Sequence, residues 1–163
     1  MASCAYCDSF ILFGGVKDGE QRFCSAKCAA KGQVLRVASA LPADQVDQQV
    51  RAIHAGNCPK CGGSGPVDVH TSHRAMSALV VTQWSSHPLV SCVSCGTKAQ
   101  LRDSAITLFL GWWGLPWGLV MTPVQLGKNF YGMFKKPDPR EPTVALRHVV
   151  SSNMAAQEIA LRK

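Results

Sequence analysis

Two cysteine quartets built from closely spaced pairs, and one uncharged run of 22 residues from Ala105 to Leu126, predict the fold class. The quartets predict small α+β zinc-binding modules, namely a treble-clef finger, a helical linker and a zinc ribbon. The run predicts a C-terminal hydrophobic helical hairpin or a single transmembrane helix. A chain of 163 residues holds one ordinary domain or two small ones. The expected organisation is a finger over 1–32, a helical linker over 33–57, a ribbon over 58–104 and a membrane-associated segment over 105–129. A Pro-rich linker and a short C-terminal helix follow over 130–163.

The eight cysteines fall into two groups of four with none left over. The opening residues MASCAYCDSF have neither a basic stretch nor an apolar core, so no signal peptide is expected. Without export, paired cysteines read as metal ligands rather than disulfides, and the modules are expected in the cytoplasm. In the first group, Cys4 and Cys7 lie on a tight turn. After sixteen intervening residues come Cys24 and Cys28, whose i, i+4 spacing puts both on one face of a helix start. The apolar run Phe10 to Phe13 and the pair Gly14-Gly15 suggest a hairpin before that helix. Knuckle, hairpin and helix make the treble-clef order. A redox CxxC pair would need a surrounding βαβ pattern, which is missing. On Phe23-Cys24-Ser25, residues 1–32 resemble the FCS-containing, MYM-like zinc fingers, and the resemblance implies zinc held by these four thiolates.

Ala26 to Ala40 reads as a helix, weakened by Gly32. Pro42 opens a second one, with Val46, Val50 and Ile53 on one stripe and Gly56 as its stop. Asp44 and Asp47 near its start and Arg51 and His54 near its end suit the helix dipole, and His54 reads as a surface or capping residue.

CPKCGG and CVSCG place Cys58, Cys61, Cys92 and Cys95 in two CxxCG knuckles with 30 residues between them. The glycine after each second cysteine suits a left-handed turn that aims backbone N–H groups at sulfur. Two facing knuckles make a zinc ribbon. Its expected strands are one at Val67 and Val69, one from Ala78 to Trp84, a lead-in at Leu89 and Val90, and an exit from Ala99 to Arg102. The insert carries His70, His73 and His87. Four thiolates already fill a shell, however, whereas catalytic zinc keeps an open position. The chain has no H-E-x-x-H, nucleophile elbow or Gly-rich phosphate loop, so no catalytic residue is assigned and no enzyme is expected.

The uncharged run is long enough to cross a bilayer core of ~30 Å as a helix. Yet Trp112, Trp113 and Trp117 sit in its middle, where Gly114, Pro116 and Gly118 also break it. With Leu110, Leu115 and Leu119, these tryptophans are the residues expected to touch lipid. A re-entrant hairpin and one kinked span both fit, and a buried core helix pair of a soluble protein is the bland alternative. Lys98 and Arg102 on one side and Lys128, Lys135 and Lys136 on the other favour both ends in the cytoplasm, hence a hairpin turning at Leu115-Pro116-Trp117. From Cys58 to Asn129 the chain resembles a bacterial-type family in which a CPxCG ribbon precedes a GWWGxPWG segment, with Thr122-Pro123 following. That resemblance implies a zinc ribbon joined to a membrane-associated segment and names no activity.

The formal charge is +7. Two zinc ions in four-thiolate shells would lower it to about +3. The basic surplus follows the uncharged run, at Lys128, Lys135, Lys136 and Arg140, where anionic headgroups would attract it. Further on, Pro137, Pro139 and Pro142 exclude a helix, and Leu146, Val150, Met154 and Leu161 then keep an imperfect helical stripe. The expected function is that of a non-enzymatic, membrane-associated double zinc-finger protein, an adaptor or assembly factor. Its expected partners are membrane lipid and another protein, and a homodimer is compatible. The alternative is a soluble zinc-ribbon module binding nucleic acid, disfavoured because Lys60 and Arg74 are the only Lys or Arg residues from Cys58 to Cys95.

Overall fold

The computed structural model describes residues 2–78, 81–113 and 117–162. The elements run β1 (Ala2–Ser3), β2 (Phe10–Ile11), β3 (Val16–Asp18), β4 (Gln21–Phe23), α1 (Ala26–Ala40) and α2 (Ala43–His54). They continue with β5 (Val67–Ala78), β6 (Val81–Cys92), α3 (Val93–Leu110), α4 (Trp117–Phe134) and α5 (Val144–Leu161). Two compact units form, Met1–Gln48 with His148–Lys163, and Gln49–Arg147.

In the first unit the hairpin is β3–β4, turning at Gly19 with φ +61°. This differs from the expected turn at Gly14-Gly15. Phe10 and Ile11 pair instead with Ser3 and Ala2, which closes the knuckle, while Leu12 and Phe13 stay exposed. Helix α1 spans the expected residues, and the Ser25 hydroxyl caps it by accepting from the Cys28 N–H at 3.3 Å. Gly32 weakens the helix locally but has a packing role. A Cβ there would lie 2.5 Å from the ring of Phe23, which is fully buried.

The second unit is organised on one long antiparallel hairpin, in register from Val67↔Cys92 to Ala78↔Val81. The expected separate strands are thus one continuous pair. The expected exit strand Ala99 to Arg102 is helical and belongs to α3, because Lys98, Ala99, Gln100, Leu101 and Arg102 are all strong helix formers. The module therefore repeats the knuckle, hairpin and helix order of the first unit, where a ribbon was expected. His54, expected at the surface, is buried, its Nδ1 2.9 Å from the Val67 carbonyl oxygen and 3.8 Å from Asp68.

In this sheet β5 pairs only with β6, so its other edge needs partners. Side chains of α3 and α4 supply them at alternate residues. Gln100 Nε2 donates to the Thr71 carbonyl at 3.0 Å, and Thr107 Oγ1 accepts from the Ala75 N–H at 3.0 Å. Between these, Asn129 accepts from the His73 N–H and donates to the His73 carbonyl, both at 2.7 Å. The buried stripes of the two helices are consequently small or polar. They comprise Gly96, Gln100, Asp103, Ser104 and Thr107 on α3, and Gly118, Thr122, Gln125 and Asn129 on α4.

The apolar residues of these helices face outward, including Leu108, Phe109, Leu119, Val120, Phe130 and Phe134. This overturns the transmembrane helix expected from the uncharged run. Only Ala105 to Leu110 of that run lies in α3 and Trp117 to Leu126 in α4, about 9 Å and 15 Å of helix. Among the described residues no helix is long and apolar enough to cross a membrane. The run read as one apolar block because hydropathy sums ignore that Thr107, Thr122 and Gln125 serve a polar interior. The expected turn at Leu115-Pro116-Trp117 falls largely on Gly114, Leu115 and Pro116, which lie outside the described residues.

Residues 135–143 hold the three prolines and no helix. Thr143 then starts α5, donating its N–H to Asp68 Oδ2 at 3.0 Å while its Oγ1 accepts from the Leu146 N–H at 3.3 Å. Along α5, Leu146 and Val150 are buried as the stripe required, but Leu161 is exposed.

Candidate metal centres

Each cysteine quartet converges. The sulfurs of Cys4, Cys7, Cys24 and Cys28 lie within 4.8 Å of one another, as do those of Cys58, Cys61, Cys92 and Cys95. In the first group Cys24 and Cys28 are 3.4 Å apart, Cys7 and Cys24 3.7 Å, and Cys7 and Cys28 3.9 Å. In the second, Cys61 and Cys92 are 3.8 Å apart. A tetrahedron with metal–sulfur bonds of ~2.3 Å has edges of about 3.8 Å. All eight cysteines are free thiols. Each quartet can thus hold one metal ion, and the all-thiolate donor set suggests structural zinc.

The two knuckles are built alike. The Cys4 N–H donates to the Ser9 carbonyl and the Asp8 N–H to the Cys4 carbonyl, each at 2.9 Å. Likewise the Cys58 N–H donates to Gly63 at 2.9 Å and the Gly62 N–H to Cys58 at 2.8 Å. Position i+4 is left-handed in both, with φ +56° at Asp8 and +71° at Gly62. Only the second knuckle uses glycine there, as its sequence suggested. Gly96 has another task, since it sits in α3 and a Cβ on it would fall 2.3 Å from His70 Cγ.

Local hydrogen bonds prepare the sulfurs for a cation. Burial raises the Cys4 thiol, but the backbone N–H groups of Cys24, Tyr6 and Cys7 outweigh it and bring the pKa to about 6. The Cys92 N–H, 3.3 Å from Cys58 Sγ, is the main cause that lowers Cys58 to about 6. In the same shells Cys24 is pushed up to about 12 by its contacts with Cys28, Cys7 and Cys4. Contacts with Cys61 and Cys92 do the same to Cys95. Four neighbouring thiols cannot all ionise unless a dication replaces the shared protons.

The histidines stay outside these shells. His73 Nδ1 lies 2.8 Å from Ser86 Oγ and His87 Nε2 2.9 Å from Ser85 Oγ, while His70 is buried on β5. Of the residues expected to touch lipid, Leu110, Trp112, Trp113, Trp117 and Leu119 are exposed around the facing ends of α3 and α4. Leu115 lies outside the described residues. Sequence reading missed Gln100, Thr107 and Asn129, whose signal was a polar residue at helical spacing within apolar helices.

These sites define the chain as a protein of two four-cysteine modules, each able to hold a metal ion. It matches no known family model, no curated protein and no solved structure. The FCS-type and CPxCG resemblances accordingly stand on their own motifs.

Proposed function

We propose that the chain is a non-enzymatic adaptor or assembly factor, held in shape by two structural zinc ions and docked on a lipid surface by the outer faces of α3 and α4. Its zinc modules work in the cytoplasm, where thiolates stay reduced, and engage a protein partner. The observation that carries this reading is the reversed polarity of the two helices, with amides and hydroxyls inside and aromatic and aliphatic side chains outside. Water gives such an arrangement no reward, whereas lipid does. Trp113 and Trp117 are 71% and 61% exposed, and the Trp113 Nε1–H is already satisfied by the Phe109 carbonyl at 2.9 Å. From Val93 to Lys136 the single acidic residue is Asp103, buried and paired with Arg74, so the outward charges there are all positive. Anionic headgroups suit that balance.

Flotation of the zinc-loaded protein with anionic vesicles tests it. The protein is expected to float at high salt, and Phe109→Asp or Trp113→Asp to release it. Recovery in the soluble fraction at low and high salt alike would reject lipid docking.

A second reading has one specific observation behind it. A groove of about 580 Å³ beside Cys95 is lined by Lys60, Arg74, His87, Lys98 and Arg102, which suits a nucleic-acid backbone. Asp103 neutralises Arg74 there, and no Phe, Tyr or Trp is among the described residues that line the groove. Binding of this kind would collapse between ~50 and ~200 mM salt, opposite to insertion of apolar side chains.

A further inference from the structure

A separate pocket of about 370 Å³ lies between β5 and α4, with His70, His73, Gln100, Lys128, Tyr131 and Lys135 among its lining. Lys128, Tyr131, Gly132 and Lys135 recur at helical spacing, so one face of α4 forms a wall. A Cβ at Gly132 would lie 2.6 Å from Gln100 Nε2, so glycine keeps that wall recessed.

The charge in this pocket is one-sided. No acidic residue lines it, and no ion pair among the described residues uses Lys128 or Lys135. Lys135 Nζ stands 5.5 Å from the centre of the Tyr131 ring. On the β5 side His70 is only 6% exposed, and its Nε2 is buried without a hydrogen-bond partner. Burial, against the pull of Asp68, holds the imidazole below its usual pKa, so it is neutral at physiological pH.

We propose that this pocket binds the phosphate group of an anionic ligand, with Lys128 and Lys135 matching its charge. A phosphate suits the pocket because it offers separate oxygen acceptors to two ammonium groups. The phosphate can come from a lipid headgroup or from a soluble phosphate ester. Only this lipid source rests on the docking proposed above; phosphate recognition does not.

The test uses the full-length, zinc-loaded protein. Inorganic phosphate is titrated against chloride at matched ionic strength while amide and imidazole resonances are followed. Phosphate, and not chloride, is expected to shift signals of His70, Lys128, Tyr131 and Lys135. Lys128→Gln and Lys135→Gln should each weaken binding about tenfold with an unchanged thermal midpoint, whereas Lys98→Gln should not. A parallel arm compares vesicles containing phosphatidic acid with vesicles of equal surface charge containing phosphatidylserine. Preference for phosphatidic acid, lost in Lys128→Gln, identifies a lipid source. No preference, with the inorganic phosphate response intact, identifies a soluble ester. The proposal is overturned if neither phosphate nor phosphatidic acid registers at the pocket, if Lys98→Gln weakens binding as much as Lys128→Gln, or if a single-stranded oligonucleotide perturbs the pocket at lower concentration than phosphate.

Discussion

The carboxamide of Asn129 treats His73 as a neighbouring strand would, accepting its N–H and donating to its carbonyl at 2.7 Å on both sides. Asn129 is fully buried, so neither backbone group has water as a substitute. Asn129→Leu should cost about 3 kcal/mol, because two buried backbone groups lose their partners together. Urea unfolding measures the loss, and hydrogen exchange at the His73 amide, slow in the parent, should become fast. Asn129→Asp keeps the acceptor and should leave that amide partly protected.

The matched knuckles predict unequal responses at their left-handed positions. Gly62→Ala should destabilise the second module by about 1 kcal/mol, since φ is +71° although open space surrounds the position. Asp8→Gly relieves the same strain in the first knuckle at φ +56° but loosens the unfolded chain, so its effect should stay within about 0.5 kcal/mol. Thermal unfolding of the two variants measures both effects.

Metal content should change in single steps. The parent should carry two zinc ions by native mass spectrometry, Cys4→Ser or Cys58→Ser one, and the double variant none. Structural zinc contributes ~10 kcal/mol or more to small modules, so chelation should abolish cooperative unfolding rather than shift it. Two ions surviving in Cys58→Ser would refute a four-thiolate second site.

Stability in acid should depend on Asp103. Burial raises its pKa, but hydrogen bonds from Ser72 and Arg74 and the charges of Arg74 and Arg102 outweigh that and hold it below the ordinary value. The folded state thus favours the ionised form. Its contribution is present above the unfolded pKa of about 3.9 and disappears as pH falls through the lower folded value. Asp103→Asn should cost about 2 kcal/mol near neutrality, and the gap to the parent should close in acid. Acid release of metal affects both proteins, so the difference between them is the quantity to follow.

Cysteine spacing made both metal shells legible, because ligand chemistry demands four sulfurs in pairs whatever the fold around them. Helices α1 and α2 were equally legible, the second from Pro42 and the Val46, Val50 and Ile53 stripe. The β5–β6 hairpin was read as fragments, since His, Ser and Arg interrupt the apolar alternation that marks a half-buried strand. Helix α3 was missed over Ala99 to Arg102 because the knuckle spacing at Cys92 and Cys95 fits a ribbon as well as a helix start. The largest misreading concerned the uncharged run. Hydropathy records how apolar a stretch is and not which side it turns inward, and here Thr107 turns inward because a strand edge needs donors and acceptors, as Gln100 and Asn129 do on either side of the run.

A strand edge closed by side chains differs from one closed by another strand, in that the closure can be lifted without breaking the sheet. Separating α3 and α4 from β5 would uncover the carbonyl of Thr71, both groups of His73 and the N–H of Ala75 in a row, spaced as a third strand would meet them. Extended chain from any source, including β5 of another copy, would fit that row. The two helices therefore act as a guard against polymerisation, and fragments ending before α4 should form sheet-rich aggregates where the intact chain does not.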